Sequence, residues 1–76
     1  MKKDRTIFDY SRLLGRIKEK CGTHDVFAKR MGISRTSLSK RLNNLIDFTS
    51  DEIKKACRVL ELNDNDIPLY FFVEKV

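Results

Sequence analysis

Basic side chains are concentrated in the first half of this 76-residue sequence. Residues 1–41 carry 12 Lys and Arg side chains against four acidic ones, a net charge of +8. Residues 42–76 carry four basic and seven acidic side chains, a net charge of −3. Clustered cations attract polyanions, because each phosphate that they neutralise releases bound counterions. The distribution therefore indicates a phosphate-bearing partner for the first half of the chain.

Other reactive residue types are too sparse to suggest a catalytic or metal site. His24 is the single histidine, which argues against a Ser/His/Asp triad. Cys21 and Cys57 belong to no CxxC or CxxxH spacing, so we expect buried, reduced thiols rather than zinc ligands. We expect no enzymatic activity, no cofactor, no metal and no small-molecule ligand.

The hydrophobic periodicity predicts an all-α fold of four to five helices. Apolar residues recur at helical spacing in four segments, and each segment follows a residue that can cap a helix. These caps are Asp9, Thr23, Ser34 and Thr49, the last reinforced by Glu52 as a capping box. Gly22 and Gly32 are expected to end the first and second helices. A fifth, single turn is expected from Asp64 to Ile67, ending before Pro68.

The C-terminal tail, residues 69–76, has a different pattern. Its first five residues are aromatic or aliphatic without helical spacing, which predicts an extended strand or a packed arm. So much apolar surface must be covered, either by the protein's own core or by a second subunit. The candidate dimer contacts are Tyr70, Phe71, Phe72 and Val73.

No segment indicates contact with a membrane. No apolar run approaches the roughly 18 residues of a membrane span, and the basic N-terminus leads into no apolar signal-peptide region. We expect a cytoplasmic protein with no membrane partner, folded as a single domain over residues 1–76.

Residues 23–43 carry the pattern of a helix-turn-helix. Ala28 lets two helices cross closely, Gly32 permits a sharp turn, and Ile33 and Leu38 fill the angle between the helices. With the Tyr-Ser-x-Leu start of the first helix, this segment resembles the phage Cro and immunity-repressor (Xre-type) family, especially its short Cro-like regulators. The resemblance implies a lambda-repressor-like helix-turn-helix domain that binds DNA in a bacterial cell, with a prophage as one source.

The resemblance also assigns roles to individual residues, because the third helix of this family lies in the major groove of DNA. It implies base contacts from Arg35, Thr36, Ser39 and Lys40. It implies phosphate contacts from His24, Ser34, Arg41 and Asn43. Asn44 stands where many relatives have glycine and must then adopt the left-handed conformation.

Together these expectations describe a transcriptional repressor that binds a pseudo-palindromic operator in double-stranded DNA as a homodimer. Two half-sites about 34 Å apart would supply the selectivity that one small domain lacks. One alternative is an antitoxin-like protein-interaction module that captures a partner through its aromatic tail. RNA binding is a weaker third alternative, since no aromatic stacking surface accompanies the basic helix.

Overall fold

The computed structural model describes residues 6–76, and in this range the protein is all-helical, as expected. The α-helices are α1 (Ser11–Cys21), α2 (His24–Met31), α3 (Arg35–Leu42), α4 (Ser50–Leu60) and α5 (Ile67–Phe71), with a 3₁₀ turn at Asp64–Asp66 before α5. None of the helices within residues 6–76 is long and apolar enough to cross a bilayer. Lys2, Lys3 and Arg5, which contribute to the basic first half, lie outside the described residues.

Three of the four predicted caps are confirmed by their hydrogen bonds. The hydroxyls of Thr23, Ser34 and Thr49 accept backbone N–H groups in the first turns of α2, α3 and α4. Asp9 lies one residue too early to be the N-cap of α1, which begins at Ser11. Its carboxylate nevertheless accepts the Ser11 backbone N–H at 2.9 Å, so the first turn still has an acidic acceptor.

Left-handed residues close the first two helices and the loop after α3. Gly22 and Gly32 have φ angles of 82° and 75°, a region that side chains with a Cβ disfavour. Residues 32–34 then form a three-residue turn into α3. Asn44 adopts φ 63°, which confirms the conformation expected where a glycine is missing.

The core lies between α1, α2, α4 and α5. Its largest fully buried side chains are Phe27, Phe71, Leu13, Ile17, Leu38 and Leu60. Leu38 is the one residue of α3 that is fully buried, while Leu42 is half-buried. Since α3 is anchored along this single edge, its remaining faces lie outside the core.

The expected extended tail begins later than predicted. Leu69, Tyr70 and Phe71 belong to α5, and Pro68 stands in the first turn of this helix instead of stopping the chain before it. The sequence-based expectation failed because proline lacks an N–H and has a fixed φ, both of which suit the start of a helix. Phe71 is 1% exposed, so this part of the tail closes the protein's own core.

Residues 72–76 are the extended part, and they return to the N-terminal segment. Phe8 and Glu74 form an antiparallel bridge, supported by hydrogen bonds from Asp9 N to Val73 O at 2.7 Å and from Lys75 N to Ile7 O at 2.8 Å. Aromatic rings lie beneath the bridge in edge-on pairs, with centroids 5.3–5.6 Å apart: Phe8 with Phe72, Tyr10 with Phe48, and Phe48 with Phe71.

Candidate functional site

The outer face of α3 presents the four residues that the sequence assigned to base contacts. Arg35, Thr36, Ser39 and Lys40 are all exposed, and Asn43 follows on the same side one turn later. Their spacing places them on one face of a helix, opposite the anchoring Leu38. The polar face of α3 is therefore accessible to a partner.

Arg35 is exposed but already paired. Its Nη1 donates to Asp25 Oδ1 at 2.7 Å, and the two side chains are 56% and 73% exposed. Asp25 lies in the first turn of α2, where the helix dipole favours a carboxylate. The first cation of α3 is thus held toward the start of α2.

Arg41, for which the resemblance implied a phosphate contact, is bound to other residues of the protein. Its Nε and Nη2 donate to the two carboxylate oxygens of Glu52 at 2.8 and 2.7 Å, and its Nη1 donates to the Ser37 carbonyl at 2.9 Å. Its side chain is 13% exposed. All three guanidinium nitrogens have acceptors within the fold, so Arg41 connects α3 to α4.

The Glu52 carboxylate belongs to both this ion pair and the capping box of α4. Burial alone would raise the pKa of Glu52, but hydrogen bonds from Arg41 and from the Thr49 backbone N–H outweigh burial and lower it. The ionised carboxylate is therefore the form that the fold favours.

The other expected phosphate contacts have local partners or lie in a groove. The Ser34 hydroxyl accepts the Ser37 N–H at 3.0 Å as a helix cap, and the Asn43 amide donates to the Ser39 carbonyl at 2.9 Å. His24 is half-buried at the start of α2.

Helices α1, α2 and α3 enclose a shallow groove that the sequence did not predict. We call it the α1–α3 groove; it has a volume of about 170 Å³ and is lined by Leu14, His24, Arg35, Ser39, Leu42 and Asn43. Leu14 is 39% exposed, although its helical spacing predicted an inward position. No periodicity signal could have revealed this, because α1 is covered by its neighbours on only part of its apolar stripe.

Two more apolar side chains follow α3. Leu45 is 64% exposed and Ile46 is 38% exposed. The Leu45 backbone N–H donates to the Lys40 carbonyl at 2.8 Å, which holds this loop against the end of α3. The surface around α3 is consequently mixed, with apolar residues on both sides of its polar face.

The expected dimer contacts are separated by the fold. Phe71 is buried in the core and cannot contact a second subunit, and Tyr70 is half-buried against the same core. Phe72 and Val73 remain 49% and 37% exposed. A contact with a second subunit through this region therefore rests on Phe72 and Val73.

The two cysteines are unpaired, and Cys57 is buried while Cys21 is half-buried. Burial raises the pKa of the Cys57 thiol, so it stays protonated. Within residues 6–76, no three His, Cys, Asp or Glu side chains are grouped so that they could hold a metal ion.

Comparison with known proteins places the chain in a family. Residues 6–74 match the DUF739 family, which is described as a protein of unknown function. The solution structure of the modulator of repression (MOR) of the temperate bacteriophage TP901-1 from Lactococcus lactis is 55% identical in sequence. The match covers 86% of this chain and 88% of that one, with a TM-score of 0.78. No curated protein matches the sequence.

These findings overturn the family suggested by residues 23–43. Two helices that cross closely need small and apolar residues at their contact, whatever the family. Unrelated families therefore share the residue pattern of a helix-turn-helix. The chain belongs to the DUF739 family, and the resemblance to the Cro and immunity-repressor family was wrong.

Proposed function

We propose that this protein modulates repression in a temperate phage or prophage by binding a repressor protein. Its 55%-identical relative is described as a modulator of repression, and a modulator can act on either the repressor or the operator. The observation that carries the choice is the composition of the α3 surface, where the arginines are neutralised and apolar side chains are exposed.

The charges around α3 favour a protein over DNA as the first partner. Arg35 is paired with Asp25, and Arg41 with Glu52, so two of the three cations of α3 already face carboxylates of the same chain. A DNA-binding face gains affinity from cations that are available to phosphates. The loop after α3 adds Asp47 where a further cation would have helped.

The exposed apolar residues favour the same partner. Leu14 lines the α1–α3 groove, and Leu45 and Ile46 lie beside the end of α3. Protein interfaces combine an apolar centre with a polar rim, whereas the DNA surface next to a recognition helix is lined with phosphates. The exposed apolar residues on both sides of α3 could be buried by a protein partner, whereas a DNA duplex would bring phosphates next to them.

The protein–repressor interaction can be tested with the repressor of the phage that carries this gene. We expect the purified protein to form a complex with this repressor without DNA and to change its affinity for a labelled operator duplex. Leu45→Ser is expected to weaken the complex by about fivefold or more, because Leu45 is the most exposed apolar side chain next to α3 and would be buried by the partner. Leu69→Ser is the matched control, since Leu69 is 40% exposed on α5, away from α3.

Two results would count against this function. The first is the absence of any complex together with an unchanged operator affinity. The second is an equal loss of binding in Leu45→Ser and Leu69→Ser, which would place the interface elsewhere. Circular dichroism of both variants controls for loss of folding.

Operator DNA is the second candidate partner, and the exposure of α3 is the observation that favours it. Arg35, Thr36, Ser39 and Lys40 are exposed together, and Lys40 has no ion-pair partner within residues 6–76. In this alternative a homodimer binds a pseudo-palindromic site with α3 in the major groove. Specific binding of the protein alone to an inverted repeat selected from random duplexes would support it.

The antitoxin-like alternative receives less support. It required the aromatic tail to capture a partner, but Phe71 is buried in the core and Tyr70 packs against it. Deleting residues 69–76 would therefore unfold the protein and would not isolate a binding segment. The capture surface would be reduced to Phe72 and the residues that follow.

A further inference from the structure

The start of α3 carries an ion pair that bears on how the protein treats DNA. Arg35 is the first residue of α3, and its Nη1 lies 2.7 Å from Asp25 Oδ1 in the first turn of α2. Arg35 also lines the α1–α3 groove beside His24 and Ser39. The pair thus lies on the surface that a DNA duplex would have to approach.

A carboxylate at this position competes directly with nucleic acid. The guanidinium N–H groups that bind a carboxylate are the same groups that bind a phosphate or the O6 and N7 atoms of guanine. An arginine engaged by Asp25 must break that pair before it can bind DNA. The negative charge of Asp25 also repels phosphates that come close.

The other two cations of α3 determine how much this competition changes the charge that α3 offers to DNA. Arg41 is bound by Glu52 and Ser37, so it cannot replace Arg35. Lys40 is then the one cation of α3 without an ion-pair partner in the described part of the chain. With Asp25 holding Arg35, α3 offers a duplex only Lys40 as a cation that has no ion-pair partner in the described residues. Without Asp25, it would offer both Lys40 and Arg35.

We propose that Asp25 is a specificity-determining residue: by holding Arg35, it weakens the binding of α3 to duplex DNA and so favours a protein partner on this face. A modulator that bound DNA tightly by itself would compete with the repressor for the operator. The inference extends the proposed function, but its test contains no repressor, so the two can fail independently.

The test compares Asp25→Asn with the parent protein on a fluorescein-labelled, mixed-sequence DNA duplex, measured by fluorescence anisotropy. Exposed ion pairs are individually weak, so we expect Asp25→Asn to bind about three- to tenfold more tightly near 50 mM salt. The slope of log Kd against log salt concentration should steepen by about 0.9, the value for one additional phosphate contact.

Two variants separate the ion pair from a general change of charge. Glu19→Gln removes one negative charge from an exposed pair with Arg16 on α1, and it is expected to bind the duplex like the parent. Asp25→Glu keeps the carboxylate and should also bind like the parent. If Glu19→Gln gains as much affinity as Asp25→Asn, net charge is responsible and the proposal is wrong.

A double-mutant cycle tests whether Asp25 acts through Arg35. In an Arg35→Ala background, Asp25→Asn should lose most of its gain in affinity, because no guanidinium remains to be released. A gain that is the same with and without Arg35 would overturn the proposal, as would an Asp25→Asn variant that is folded and binds DNA no better than the parent.

Discussion

At the scale of single residues, sequence position alone did not distinguish a ligand-binding arginine from a structural one. Arg35 and Arg41 are six positions apart on the same short helix, and the resemblance to DNA-binding regulators gave both a contact with DNA. In the structure Arg35 forms an exposed ion pair, whereas Arg41 forms a bidentate pair in which the side chains of Arg41 and Glu52 are 13% and 18% exposed. The same guanidinium group is therefore available at the surface in Arg35 and holds two helices together in Arg41, because the two side chains differ in burial.

Arg41→Ala is expected to lower the free energy of unfolding by about 2 kcal/mol, since Glu52 would keep its partly buried charge but lose its bidentate partner. Arg35→Ala is the matched control and should cost less than about 1 kcal/mol, because its pair is exposed to solvent. Urea denaturation followed by circular dichroism measures both. Equal losses in the two variants would contradict the structural role of Arg41.

The lowered pKa of Glu52 predicts a loss of stability in acid. A carboxyl whose pKa is lower in the folded protein than its ordinary value of 4.5 contributes its full stability above pH 4.5. That contribution is lost as the pH falls through the lower, folded-state value.

Glu52→Gln removes this titration, so the difference in unfolding free energy between parent and variant should be constant at neutral pH and shrink below pH 4.5. Urea titrations at a series of pH values measure the difference. A difference that stays constant throughout the acid range would show that Glu52 does not contribute to acid unfolding.

At the scale of elements, the hydroxyl-capped helix starts were predictable, whereas the start of α5 was not. The caps Thr23, Ser34 and Thr49 satisfy backbone N–H groups three residues ahead, so a short local pattern contains the whole interaction. Helix α5 was misjudged because Pro68 was taken as a stop, although it is well suited to the first turn of a helix. The burial of Phe71 against distant parts of the chain favours the helical conformation after Pro68 over a helix stop at Pro68.

Thr49→Ala is expected to cost about 1 kcal/mol of unfolding free energy, because the Glu52 backbone N–H would lose its acceptor at the start of α4. Ser50→Ala, at the next position, changes a similar hydroxyl in an exposed residue and should stay within about 0.5 kcal/mol of the parent. Thermal unfolding followed by circular dichroism compares them. A larger effect in Ser50→Ala would contradict the capping box.

At the scale of the whole molecule, the C-terminal residues divide into a core segment and a surface segment. Phe71 is 1% exposed and packs edge-on against Phe48. Phe72 also packs edge-on, against Phe8, but it is 49% exposed. Phe71 therefore belongs to the core and Phe72 to the surface, although the two residues are adjacent in one aromatic stretch of the sequence.

Phe71→Ala is expected to cost about 3–5 kcal/mol, enough to unfold much of a protein this small, because it leaves a cavity on α5, which packs against α1 and α4. Phe72→Ala should cost about 1 kcal/mol or less. Urea denaturation measures both losses of stability. Separately, sedimentation equilibrium of the parent and of Phe72→Ala tests the homodimer predicted from the tail. Similar losses in both variants would place Phe72 in the core after all.

The features of the fold that the sequence predicted correctly depend on local interactions. Helix number, most caps and the exposed polar face of α3 depend on neighbours a few positions apart, and these neighbours are visible in the chain. The partners of Arg35 and Arg41 and the exposure of Leu14 depend on how α1, α2, α3 and α4 pack. Those contacts join residues ten or more positions apart, and so the charge that α3 presents to a partner was set by packing.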